Sequence, residues 1–191
     1  MTTPEPTKQE KALQRVLRIS RLNGWSVVIF AGLGLLLALA MGDLASAGIG
    51  VLVGVAGWME VHGHKRLKKR DAAGMIWLVR SQLFLLSVIL VYCASRLGSF
   101  DNETMLSGLT PEMESLLKES GIERADLIPM VRTAFFTTYL TVAAVTLLYQ
   151  GGMAFYYRGK TKLVTAALAA APVVPIIAQA SVRPSHLPPS I

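Results

Sequence analysis

The sequence predicts an all-α integral membrane protein built as a four-transmembrane-helix bundle. Two observations carry that prediction. The first is apolar run length. Trp25 to Met59 is one apolar stretch interrupted chiefly by Met41-Gly42-Asp43, and Met75 to Leu97 and Thr133 to Phe155 follow as separate runs. A hydrocarbon core about 30 Å thick takes roughly 20 residues of helix, so the long stretch is two crossings and a tight turn. The second is composition. Charged residues make up 16% of the chain, against about 25% in an average soluble domain, which argues against an ordinary soluble fold. The spans are expected near residues 25–42, 44–62, 75–97 and 132–154.

Charge distribution predicts the orientation. Lys8, Lys11, Arg15, Arg18 and Arg21 precede the first span, Lys65, Arg66, Lys68, Lys69 and Arg70 separate spans two and three, and Arg158, Lys160 and Lys162 follow span four. The turn at Gly42–Gly48 holds Asp43 and no cation, and the segment between spans three and four carries seven acids. Lys and Arg are retained on the cytoplasmic side. Both termini are therefore expected in the cytoplasm, with a bacterial cytoplasmic membrane as the setting. The net charge of +7 then follows topology rather than nucleic-acid binding.

These readings divide the chain into a cytoplasmic N-terminal segment (1–24), a transmembrane hairpin (25–62), a basic cytoplasmic loop (63–74), span three (75–97), an acidic extracytoplasmic helical segment (98–131), span four (132–155) and a cytoplasmic Ala/Pro-rich tail (156–191). In the first segment Leu13, Val16, Leu17 and Ser20 share one helical side and Lys8, Lys11, Arg15 and Arg18 the other. That pattern fits a basic amphipathic helix lying in the interface or a plain extension of span one. Ala45-Ser46-Ala47 has the form of a signal-peptide cleavage site, but the apolar run before it exceeds the usual 7–15 residues, so an uncleaved span is expected.

Spans one and two are rich in small residues. Gly32 and Gly34 lie in the first, and Gly50, Gly54 and Gly57 in the second. Small residues let membrane helices approach closely, so these five glycines are expected to pack helices, within the hairpin or between subunits. Span three holds the single cysteine, Cys93, which cannot build an internal disulfide.

Between spans three and four, Thr110-Pro111-Glu112 reads as a helix start and Gly121 as its stop. Leu106, Leu109, Leu116 and Leu117 are expected to face the bundle, and Ile122 to Met130 to form a second short turn. In span four Thr133, Thr137 and Thr141 recur every four residues with Thr138 beside them. Such hydroxyls bond back to helix carbonyls or line a polar cavity, for which Thr137, Thr138 and Thr141 are the candidates. The tail is expected to be helical to about Ala171 and then extended, with a fifth span over 163–180 as the alternative.

Chemistry is sparse. The middles of all four spans lack ionisable residues, which speaks against a proton-coupled pump or a carrier of charged solutes. Glu60-Val61-His62-Gly63-His64 is the one metal-like cluster, but zinc needs three or four converging ligands, and an interfacial helix end meeting headgroups is the simpler reading. Tyr149, Tyr156, Tyr157, Trp58 and Trp77 fit an aromatic belt. No cofactor is expected, and no motif set of a known family stands out.

The expected function is a non-enzymatic polytopic membrane protein, a scaffold or regulatory subunit of a membrane complex. The alternatives are an oligomeric channel or transporter for neutral or weakly polar solutes, and a membrane enzyme. Expected partners are the bilayer, with anionic inner-leaflet lipid or an acidic partner held by Arg15, Arg18, Arg21 and Lys65 to Arg70, and a second copy or another membrane protein.

Overall fold

The computed structural model describes residues 7–101, 112, 115–116, 119–121 and 124–170. Its four long helices are α1 (Lys8–Ala40), α2 (Leu44–Lys68), α3 (Gly74–Gly98) and α4 (Arg124–Ala170). Every regular element among the described residues is helical. All four helices are long and apolar enough to cross a membrane. Each packs on its neighbour in sequence and α4 closes on α1, forming an antiparallel bundle.

Local chemistry sets the helix ends. Thr7 and Glu10 form a reciprocal capping box at the start of α1, the Thr7 amide donating to Glu10 Oε2 at 2.8 Å and the Glu10 amide to Thr7 Oγ1 at 3.3 Å. This satisfies amides that have no partner within the helix. Gly42, at φ +71°, ends α1, where the Asp43 amide reaches back to the Ala38 carbonyl at 2.9 Å. Asp43 then caps α2 by accepting from the Ser46 amide at 3.0 Å. The same closure recurs at the other end of α2. There Arg70 takes the left-handed conformation at φ 64°, and the Asp71 amide donates to the Arg66 carbonyl at 3.0 Å.

The helices run past the spans expected from sequence. The basic stretch from Lys8 to Asn23 runs on into the first span, because α1 is continuous over 33 residues and nothing between Lys8 and Asn23 interrupts its hydrogen bonding. The basic loop is mostly the last turn of α2, reaching Lys68. Residues 124–130 are the opening of α4, with Pro129 inside it, rather than a separate turn. Beyond span four the same helix continues through Ala170, the last described residue. At 1.5 Å per residue, its 47 residues extend about 70 Å, roughly twice a hydrocarbon core.

The best-packed region is the basic end, where α1 begins, α2 meets α3 and α4 finishes. Val16, Leu67, Met75, Leu78, Tyr157 and Val164 form its buried core. Val16 and Ser20 are buried while Leu13 and Leu17 pack partly against them, the side that the sequence pattern marks as apolar. Toward the opposite end the bundle leaves large apolar side chains exposed, among them Phe30, Leu36, Leu37 and Leu148.

Between α3 and α4, Gly121 adopts φ +71° as a helix stop should. Leu116 is exposed rather than facing the bundle. Leu106, Leu109, Leu117 and the Thr110-Pro111 start lie outside the described residues, as does the tail from 171 onward.

Candidate functional site

Buried residues recur mostly at three- or four-residue steps on the inward stripes of the helices near the basic end. On α1 the stripe runs through Val16, Ser20, Asn23 and Ala31, and on α2 through Ala56, Gly57, Glu60, Gly63 and Leu67. On α3 it passes Leu78, Gln82 and Leu85, and on α4 Gln150, Ala154, Tyr157 and Val164. Where these stripes meet, one polar residue from each helix converges.

Glu60 is the centre, with 1% of its surface exposed. Its Oε2 accepts from Asn23 Nδ2 at 2.6 Å and from Gln82 Nε2 at 2.9 Å, and its Oε1 accepts from the Tyr157 hydroxyl at 2.9 Å. A carboxylate offers only acceptors, and all three surrounding groups are donors. Tyr149 donates to Asn23 Oδ1 at 3.1 Å, extending the network. Among the described residues no cation pairs with Glu60. Gln82 Oε1, Gln150 Oε1 and the Tyr156 hydroxyl are buried without a hydrogen-bond partner.

This overturns one sequence reading. Glu60 is not an exposed interfacial residue meeting headgroups but is buried between the helices. The reason is register: Glu60 follows Gly57 by three residues on the close-packing stripe of α2. Tyr157 likewise leaves the expected aromatic belt, being fully buried. Asn23 and Gln82 were not singled out by sequence reasoning. The signal that could have found them is their position on the same stripes as Ser20 and Leu78.

The metal-like cluster does not assemble. His62 sits between Trp58 and Trp77, with ring centroids 5.4 and 4.9 Å away. His64 Nδ1 lies 3.1 Å from Ser20 Oγ, and Glu60 is taken up by its three donors. Among the described residues no three His, Cys, Asp or Glu side chains could hold a metal ion.

The glycine expectation divides. A Cβ on Gly57 would lie 2.8 Å from Val28 Cγ2, and one on Gly50 would lie 3.2 Å from Leu35 Cα. Gly54 faces Ala31. These three glycines pack α2 on α1. Among the described residues Gly32 and Gly34 meet nothing within 4 Å, although Gly34 opens onto a cleft shared with Ser46, Gly50 and Tyr92. The tightest contact is one that sequence reading missed. A Cβ on Gly74 would come within 2.6 Å of the Gly63 carbonyl oxygen, so α2 and α3 touch backbone to backbone.

Comparisons with protein-family models, curated proteins and solved structures return no match.

The threonine stripe faces outward. Thr133, Thr137, Thr138 and Thr141 are all exposed, and Thr133, Thr137 and Thr138 line an open groove with Pro129, Met130 and Ala134. Thr138 Oγ1 donates to the Ala134 carbonyl at 2.8 Å, the local bonding its chemistry allows. Of the basic residues, Arg15, Arg18, Arg21, Lys65, Lys68, Lys69 and Arg70 are exposed. Arg66 is partly covered and pairs with Asp71 at 2.8 Å.

At the opposite end Arg96 Nη2 donates to Asp43 Oδ2 at 3.2 Å and to Ser46 Oγ at 3.0 Å. That ties α3 to the α1–α2 turn. The Ser46 hydroxyl and amide hold the Asp43 carboxyl below the usual carboxylate range. Chemically, the Glu60 junction can do two things. It can lock four helices in one register, and its carboxyl group can take up or release a proton.

Proposed function

We propose that this chain is a non-enzymatic multi-pass membrane protein that serves as a scaffold or regulatory subunit of a membrane complex. The observation that carries this reading is α4. The most apolar window of α3 has 39% of its residues buried and that of α4 has 0%. Among the described residues, this part of α4 touches α3 on one side and leaves its other face open to lipid or to another helix. That face combines Thr133, Thr137 and Thr141 with Leu140, Val145 and Leu148. Hydroxyls among small and apolar groups are what interhelical contacts in membranes use.

In this reading both termini are cytoplasmic in a bacterial membrane, and the basic end faces anionic inner-leaflet lipid. A periplasm-active phosphatase fused after Gly108 then shows activity and one fused after Arg70 does not; the reverse outcome refutes the orientation. The partner is tested with cysteines placed at Thr137 and Thr141 in a Cys93→Ser background. Cross-linking in native membranes, followed by intact-mass measurement, should capture a second copy or another membrane protein at defined stoichiometry. A chain that stays monomeric and uncross-linked sinks the reading.

The buried carboxyl group favours a second reading, a carrier that couples to protons through Glu60. Ionisable groups inside membranes are costly and usually functional. Proton-dependent solute flux into liposomes that is abolished by Glu60→Gln, in a variant that still inserts and folds, would favour it over the scaffold.

A further inference from the structure

On the outer surface of α1 and α2 at the basic end lies an open groove of about 790 Å³. Arg18 and Arg21, three residues apart on α1, face His64 and Lys68, four apart on α2, across it. Ser20 holds the His64 ring from behind. None of Arg18, Arg21 and Lys68 has an acidic partner among the described residues, and no acid lines the groove. Three unpaired cations and an imidazole thus surround one concave space.

A second observation is independent of the charges. Leu22 and Trp25 line the same groove and are 74% and 54% exposed. The same face of α1 continues away from the basic end through Ile29, Leu33 and Leu36, all exposed. The spacing from Arg18 through Leu22, Trp25, Ile29, Leu33 and Leu36 is three or four residues at each step, one helical face. A cationic cup therefore opens onto an apolar track. A soluble anion would use the cup alone, whereas an anionic amphiphile uses both.

We propose that this groove is a binding site for an anionic glycerophospholipid of the bilayer. Arg18, Arg21 and Lys68 hold the headgroup phosphate, His64 donates to it, and an acyl chain lies along Leu22, Trp25 and Ile29. Arg is suited to this because its guanidinium presents paired donors to phosphate oxygens. The proposal rests on the membrane placement above and narrows its diffuse basic surface to one site.

The test uses Trp25 as reporter. In a Trp58→Phe, Trp77→Phe variant, Trp25 is the only tryptophan of the chain. The protein is reconstituted into phosphatidylcholine vesicles in which either the phosphatidylcholine or an added fraction of phosphatidylglycerol carries brominated chains. At equal mole fraction, brominated phosphatidylglycerol should quench Trp25 several-fold more strongly. Replacing Arg18, Arg21 and Lys68 with glutamine should erase that preference. Replacing Lys65, Lys69 and Lys162, which lie outside the groove, should leave it. Equal loss in both triple variants, or no preference in the parent, overturns the proposal. So does displacement of the lipid by soluble glycerol phosphate at matched ionic strength, since the site would then take a free phosphate ester. Insertion is scored separately by carbonate extraction. A chain that never enters the vesicles overturns the membrane reading as well, while normal insertion without headgroup preference overturns this proposal alone.

Discussion

Asn23 grips Glu60 through a 2.6 Å hydrogen bond from its side-chain nitrogen, while its side-chain oxygen receives the Tyr149 hydroxyl at 3.1 Å. One amide is thereby oriented from both ends, and it joins α1 to α2 and α4 at a single point. With Gln82 supplying α3, four helices share one carboxyl group. Polar groups so far from water are costly when unpaired, so the junction favours one register over its slipped neighbours.

Two adjacent tyrosines should respond oppositely to loss of a hydroxyl. Tyr157→Phe leaves Glu60 Oε1 without its donor and should destabilise the folded protein by about 1–3 kcal/mol. The Tyr156 hydroxyl is buried with no partner, so Tyr156→Phe should be neutral or stabilising. Thermal unfolding in detergent of both variants reads the difference. Equal effects would mean that the Tyr157 contact contributes nothing.

Glycines should divide by what stands opposite them. Gly74→Ala drives a methyl group onto the Gly63 carbonyl, which cannot move as a flexible side chain would, and overpacking of this kind costs about 1–3 kcal/mol. Gly32→Ala and Gly34→Ala meet open space and should be neutral or gain slightly from helix propensity. If Gly32→Ala destabilises the protein as much as Gly74→Ala, an external partner must cover that face.

The turn between α1 and α2 should have its own acid limit. Asp43 is held below its ordinary value of 3.8, first by the Ser46 hydroxyl and amide. A depressed carboxyl contributes stability above its unfolded value and loses it as pH falls through the lower folded value. The Ser46 amide should therefore stay protected from hydrogen exchange at pH 5 and lose protection only below the ordinary aspartate range (about 3.9). Asp43→Asn should remove that pH dependence. Protection that instead fades between pH 6 and 5 would show that another group controls the turn.

Arg70 takes a left-handed conformation that costs a residue with a side chain about 1–2 kcal/mol. Arg70→Gly should recover up to about 1 kcal/mol of this, the remainder being offset by the greater freedom of glycine in the unfolded chain. Arg70→Ala should recover none. A melting temperature unchanged by Arg70→Gly would show that the Arg70 side chain offsets its own strain.

The four helices and the Gly42 turn were legible in the sequence, because run length and turn chemistry are local signals. The Glu60 junction was not, since it depends on which faces meet. Residues such as Asn23 and Gln82 look like ordinary polar boundary residues when each helix is considered singly. The clue available was phase. Gly50, Gly54, Gly57 and Glu60 keep one helical face, and a carboxyl group in phase with close-packing glycines must turn inward with them. Gly32 and Gly34 show the limit of composition, as they have the right residue type but stand opposite open space.

The length of α4 has a mechanical consequence. Its basic-end portion is clamped at Tyr157 and Val164, whereas its remote portion leans on α3 through Tyr92–Tyr139 and Phe100–Phe135 ring contacts. From Met130 to Tyr157 the rod measures about 40 Å. A tilt of about 5° about the clamp therefore sweeps its far end through roughly 3–4 Å, by the same helical rise. Tyr149 and Tyr157 sit near the fulcrum and both bond into the Glu60 junction. Leverage exerted on one side of the bundle would arrive there as small, opposed displacements of two hydroxyl groups.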